Sequence, residues 1–206
     1  MKLRIGAAVA LLAATGGQAV AADEESAWRA NVALYRYAVP EQNDFTMAVA
    51  GVDYRSAHLE GRYNYEAFKA GSLFAGFTVA GGERVKLALT PMFGVVFGEL
   101  HGAIPALRDT VAWWRLDLYT ESELVIDFDE EHESFFYDWS ELGFSPGSWL
   151  RFGIVAQRSR VFLTPLDIQR GIFVGATYRI ATVAFYEFNL GWTHPSYVAS
   201  LSLAFQ

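Results

Sequence analysis

The residues of this chain that could do chemistry fall in alternating patterns rather than in one compact motif. His58, Glu60, Arg62, Asn64 and Glu66 recur at every second position, with Leu59, Gly61, Tyr63 and Tyr65 between them. Asp117, Tyr119, Glu121 and Glu123 repeat the pattern opposite Leu116, Leu118, Leu124 and Ile126. Successive side chains of a β-strand face opposite sides, so each segment carries one charged and one apolar face. A helix would scatter the same charges around its circumference. With later segments added, the inward set is Glu60, Arg62, Glu66, Asp117, Glu121, Glu123, Glu141, Arg151, Gln157 and Arg179. Two chemistries suit polar residues of both signs carried on several strands. One is a water-filled pore whose fixed charges select solutes. The other is a set of salt bridges that closes and stiffens the interior.

No residue is assigned a catalytic role. Of the four histidines, His58 lies on the charged face, His101 in a loop, His132 in an acidic run and His194 beside Pro195. A nucleophile needs a base within hydrogen-bond reach and a group that orients the base, and no local pattern supplies that set. The run Asp127-Phe128-Asp129-Glu130-Glu131-His132-Glu133 has carboxylates for a divalent cation but lacks the glycine and the spacing of a calcium loop. It reads as a solvated loop tip. No metal or cofactor is expected.

The elements that carry these residues are short. Hydrophobic residues make up 52% of the 206-residue chain and charged residues 19%, below the roughly 25% usual in soluble domains. Past the first residues, no apolar run approaches the about 20 residues that a membrane helix requires. At the start, Lys2 and Arg4 precede an apolar stretch from Ile5 to Ala14, and Gln18-Ala19-Val20-Ala21-Ala22 supplies small residues. This is the pattern of a secretory signal peptide, expected to span residues 1–22 and to leave residues 23–206 as one domain. The chain has no Cys, so neither disulfides nor a lipidated N-terminal Cys is available. A net charge of −7 argues against nucleic acid as a partner.

Twelve segments read as strands. They begin at Trp28, Phe45, His58, Leu73, Val85, Ala103, Leu116, Phe135, Trp149, Ile172, Thr182 and Tyr197. Pro91 predicts a bulge or bend in the fifth, and Pro105 weakens the sixth. Pro146-Gly147 reads as a two-residue turn, and Leu163 to Gly171 as the longest loop. Aromatics cluster near strand ends, at Trp28, Tyr54, Phe68, Trp113, Trp114, Phe144, Trp149, Phe162 and Tyr197, where two membrane girdles would place them.

In the last strand, Tyr197, Ala199, Leu201, Leu203 and Phe205 share one face, and Ser200 and Ser202 lie on the other. A final strand ending in Phe, in a chain with an export leader, resembles the closing strand of bacterial outer-membrane β-barrels. That resemblance implies an all-β, transmembrane, antiparallel up-and-down barrel. Twelve strands fit the turn pattern best, and ten or eight are the alternatives. It further implies pairing of the last strand with Trp28 to Ala38, reading of Tyr197 to Phe205 by the barrel-assembly machinery, and contact with outer-membrane lipid and lipopolysaccharide. The function expected is a narrow passive channel for a small hydrophilic solute, with a non-conducting structural barrel as the alternative and a lipid hydrolase as the second. Twelve-stranded channels for sugar acids carry many basic lumenal residues, and this acidic chain departs from that pattern.

Overall fold

Alternation at period two is the local rule from Trp28 onward, and in the computed structural model it closes into a barrel. The structure describes residues 27–39, 43–129, 134–159, 167–191 and 195–206. Residues 1–26, with the expected signal peptide, and His132, His194 and Phe162 lie outside this set. The strands are β1 Trp28–Ala38, β2 Phe45–Tyr54, β3 Ala57–Tyr63, β4 Ala70–Phe77 continuing as Val79–Gly81, β5 Val85–Gly98 and β6 Gly102–Trp113. They continue as β7 Leu116–Asp127, β8 Phe135–Gly147, β9 Leu150–Ser159, β10 Asp167–Tyr178, β11 Ala181–Phe188 and β12 Ser196–Phe205. Each pairs antiparallel with its sequence neighbours, and β1 pairs with β12 from Ala30 opposite Phe205 to Ala38 opposite Tyr197. The sheet therefore has no free edge, as a β-structure surrounded by lipid requires.

One end of the barrel has very short connections: Arg55-Ser56, Gly82 to Arg84, Trp114-Arg115, Ser148-Trp149 and Arg179-Ile180. Left-handed backbone at Arg55, Trp114 and Arg179 makes three of these reversals possible. The outer face of the wall is apolar, with Val32, Leu34, Leu59, Leu73, Leu87, Phe93, Ile154, Val183 and Leu201 all exposed. In water this would be an apolar patch far beyond what a monomer tolerates; against acyl chains it is the required surface. Trp28, Tyr54, Trp113, Trp114 and Trp149 ring the short-turn end, exposed, and Trp28 packs on Tyr54 at 4.5 Å between ring centroids.

The prolines act through the hydrogen bonds they cannot donate. Pro91 faces Phe77, where the β4 ladder is interrupted. The register is unchanged across the gap, from Gly76 opposite Met92 to Val79 opposite Leu89. The expected bulge is absent there. Pro105 likewise leaves a gap in the β6–β7 ladder between Ala103 and Ala106, yet β6 runs its full length. The register shift falls instead at Leu150 and Phe152 on β9, opposite the end of β8. Pro146 and Gly147 belong to β8, so the turn predicted on them is corrected to Ser148-Trp149. Residues 167–171 of the predicted long loop extend β10, because Ile168 and Gln169 continue the alternation to the strand end. β3 is shorter than expected, since Asn64 adopts a left-handed backbone and begins the turn.

Closure can be tested directly. Leu34 on β1 lies opposite Leu201 on β12, at the about 4.5–5.5 Å typical of directly opposed residues. In a chain with no native Cys, Leu34→Cys with Leu201→Cys should oxidise to a disulfide in the folded protein. Leu34→Cys with Leu203→Cys, two positions out of register, should remain largely reduced. Equal oxidation of the two pairs would contradict the closing register.

Candidate functional site

The inward positions of β1 to β12 converge on the barrel interior. Among the described residues, it buries seven carboxylates: Asp53, Glu60, Glu66, Asp117, Glu121, Glu123 and Glu141. Against them stand three guanidiniums, Arg62, Arg108 and Arg151, and one imidazole, His58. Isolated charges in such a place are very costly, so pairing decides whether they can exist there.

Arg62, on β3, is the most heavily engaged. Its Nε donates to Glu60 Oε1 at 2.6 Å, its Nη1 donates to Glu123 and lies 3.4 Å from Glu66 Oε1, and its Nη2 is 3.2 Å from Glu121 Oε1. The guanidinium also sits over the rings of Phe74 at 4.2 Å and Tyr65 at 4.3 Å, favourable faces for a cation. Arg108, from β6, donates through Nε to Glu121 Oε2 at 2.9 Å and through Nη2 to both oxygens of Glu60 at 3.1 and 3.0 Å. Glu60 and Glu121 thus each bridge both arginines. Tyr65 and Tyr119 add hydroxyl donors to Glu121 at 2.9 and 2.8 Å.

A second group is centred on Arg151 of β9. Its Nε and Nη2 donate to Asp117, the latter at 2.5 Å, and its Nη1 donates to Glu141 at 2.5 Å. Trp139 Nε1 and Tyr186 OH complete Glu141 at 2.9 and 3.0 Å. Arg151 lies across Gly143, where a Cβ would meet its guanidinium and have to push it off its ion pairs with Asp117 and Glu141. His58 shares a 2.8 Å hydrogen bond with Asp53 through Nδ1, and its Nε2 is 3.5 Å from Glu60.

In the β3–β4 connection, Glu66 accepts from Ser72 Oγ at 2.9 Å. Burial pushes its carboxyl above the ordinary range, and Arg62 and Ser72 oppose that rise only in part.

The networks surround a cavity of about 30 Å³, lined by Glu60, Arg62, Arg108, Glu121, Glu141 and a ring of tyrosines that includes Tyr35, Tyr65 and Tyr137. One water needs about 10–15 Å³ of such space, so the cavity admits very few. Toward the end opposite the short turns the interior is packed with apolar groups. Tyr37, Phe45, Trp139, Phe173, Tyr186 and Phe188 form one cluster and Phe74, Met92, Val96, Leu100, Ile104 and Val125 another. Toward the short-turn end it is lined by Asn31, Asp53, His58, Asp117, Thr182, Ser200 and Ser202, all buried.

Of the ten residues expected to face inward, Glu60, Arg62, Glu66, Asp117, Glu121, Glu123, Glu141, Arg151 and Gln157 are buried inside the barrel, Gln157 donating to Gln169 at 2.6 Å. Arg179 is not inside: it is the exposed left-handed residue of the β10–β11 turn, with its guanidinium over Tyr178. The turn interrupts alternation, so parity counted through it misplaces the side chain. Tyr65 was expected outside and instead faces the cavity, because β3 has ended two residues earlier. Sequence reasoning missed Arg108. It stands beside Asp109 with charges on both faces of the strand, and periodicity alone gives no reason to choose between them.

His101 contacts Asp129 at 2.9 Å at the exposed rim. Among the described residues no group of three or more potential ligands could hold a metal ion.

No family model and no curated protein matches this chain. Its fold is similar to that of a solved KdgM porin, with a TM-score of 0.62 at 9% sequence identity over 85% of this chain and 99% of that one. It is equally similar to a structure described as "KdgM porin in complex with disordered oligogalacturonate", with a TM-score of 0.63, 9% identity and the same coverage. At such identity the likeness is one of fold.

The network makes a sharp stability prediction. Arg62→Ala leaves Glu60, Glu121 and Glu123 buried without their shared cation and should cost about 3–5 kcal/mol. Arg36→Ala removes an exposed pair with Asp44 and should cost about 1 kcal/mol or less. Urea unfolding in lipid vesicles measures both; equal losses would contradict the assignment.

Proposed function

We propose that the protein is a barrel of the Gram-negative outer membrane that forms a narrow passive channel for small cations. The observation that carries this reading is the surplus of carboxylates buried along the barrel interior, from Asp53 and Asp117 near the short-turn end to Glu66 in the β3–β4 connection. Each of the three buried guanidiniums is already engaged by at least two carboxylates, so none remains to attract an anion, while the summed field is negative. The similarity in fold to porins supports passage of a small solute. The oligogalacturonate named with one of them is an anionic sugar chain, and the acidic interior here disfavours such a ligand. In the state described, the waist has room for few waters, so conduction requires the side chains of the network to move.

A second reading, a non-conducting structural barrel, is favoured by the apolar packing that fills the half of the interior opposite the short turns. A lipid hydrolase gains no support from His58, whose contacts are carboxylates inside the barrel. The proposal includes removal of the leader, contact with outer-membrane lipid and lipopolysaccharide, and recognition of Tyr197 to Phe205 by the assembly machinery.

Single-channel recording of refolded protein in planar bilayers tests the channel. Discrete openings are expected, with Glu121→Gln shifting the ion preference toward anions, because it frees positive charge on both Arg62 and Arg108. Silence across voltages and salt concentrations would reject the channel in favour of the structural barrel.

A further inference from the structure

Among the described residues, the outer wall carries a polar patch on β6 to β8 that the lumen does not explain. On β6, β7 and β8, Asp109, Thr120, Ser122, Asp138 and Ser140 project outward, half-buried, by the same alternation that turns Arg108, Glu121 and Glu141 inward. They are neighbours in register: Asp109 opposite Thr120, Thr120 opposite Ser140 and Ser122 opposite Asp138. Exposed Leu118 and Leu142 bound the patch on one side, and Leu124 and Phe136 on the other. On β6 and β7 it therefore lies within the apolar belt, and on β8 it reaches toward the end of the wall opposite the short turns.

Its hydroxyls are turned to its carboxylates. Thr120 Oγ1 donates to Asp109 at 2.5 Å, Ser122 Oγ to one oxygen of Asp138 at 2.7 Å and Ser140 Oγ to the other at 2.9 Å. A carboxylate accepts about four hydrogen bonds, and acyl chains donate none. Arg158, on β9 directly opposite Asp138 in register, is exposed and lies over Phe136 at 5.5 Å instead of reaching that carboxylate. Carboxylates and a cation thus share one patch.

We propose that this patch is the contact through which two copies of the chain associate side by side in the membrane. A two-fold axis requires a surface that complements itself. Here it would bring Arg158 of each copy to the carboxylates of the other and withdraw both from lipid, where buried charge is disfavoured. The inference rests on the membrane reading but not on conduction.

Crosslinking within membranes tests it. Ser140→Cys, treated with a short bismaleimide in the full-length protein, should give a covalent homodimer at about tenfold the yield of Ala50→Cys on the β2 wall. Asp138→Lys should lower the Ser140→Cys yield about tenfold, and adding Arg158→Glu should restore it. Restoration separates loss of contact from loss of fold. No dimer, equal yields from the two cysteines, or an adduct with a different protein would overturn the proposal. Protein that stays in solution without detergent would instead contradict the membrane reading beneath it.

Discussion

The interaction on which the rest of this structure depends is the shared ion pairing of Arg62 and Arg108 with Glu60 and Glu121. The interior of a closed barrel is confined, so a charge buried in it must be met by counter-charges from the wall itself, on its own strand or on others. Glu60 and Arg62 come from β3, Arg108 from β6 and Glu121 from β7. The network therefore ties together strands that are not all neighbours in the sheet. Tyrosine hydroxyls and ring faces complete it, which lets polar atoms of five or more residues be buried together without each needing water.

That constraint explains how the interior is layered. Asp53, His58, Asp117 and Arg151 form pairs nearer the short-turn end, while Glu60, Arg62, Arg108, Glu121 and Glu141 gather at the waist. The half beyond them is packed with aromatic and aliphatic groups, and the short-turn half carries small polar residues such as Ser200, Ser202 and Thr182. A lumen built this way is far from an open porin. It resembles the packed interior of smaller barrels at one end and a polar vestibule at the other. Its carboxylates outnumber its guanidiniums and its one imidazole, and the proposed preference for cations rests on that surplus.

Much of this was legible from the chain because period two is a strong signal wherever one face is charged and the other apolar. His58 to Arg62 and Leu116 to Ile126 could be assigned to faces at once, and the closing pair of β1 and β12 came from the resemblance of the terminal strand to one that closes a barrel. Legibility failed where the backbone breaks the period. Tyr65 and Arg179 follow or occupy left-handed residues, so counting by twos carried them to the wrong side. It failed again where both faces are polar, as at Arg108-Asp109. The outward Thr120 and Ser122 left a visible gap in an apolar face, but the depth of that gap in the wall depends on register with β6 and β8, which no single segment contains. Pro91 suggests a bulge or bend and Pro105 a weak strand, and neither consequence appears. The neighbouring ladders keep register across each, so neither bends the strand out of the sheet.

The sign of the interior field is the central claim, and a reversal potential measures it most directly. With the refolded barrel in a planar bilayer separating dilute from concentrated potassium chloride, the current should reverse at a voltage of the sign set by potassium, and replacing chloride with a larger anion should barely move it. A reversal potential of the sign set by chloride would contradict the account, because it would mean that cationic groups govern the lumen despite the seven carboxylates that face the three arginines there.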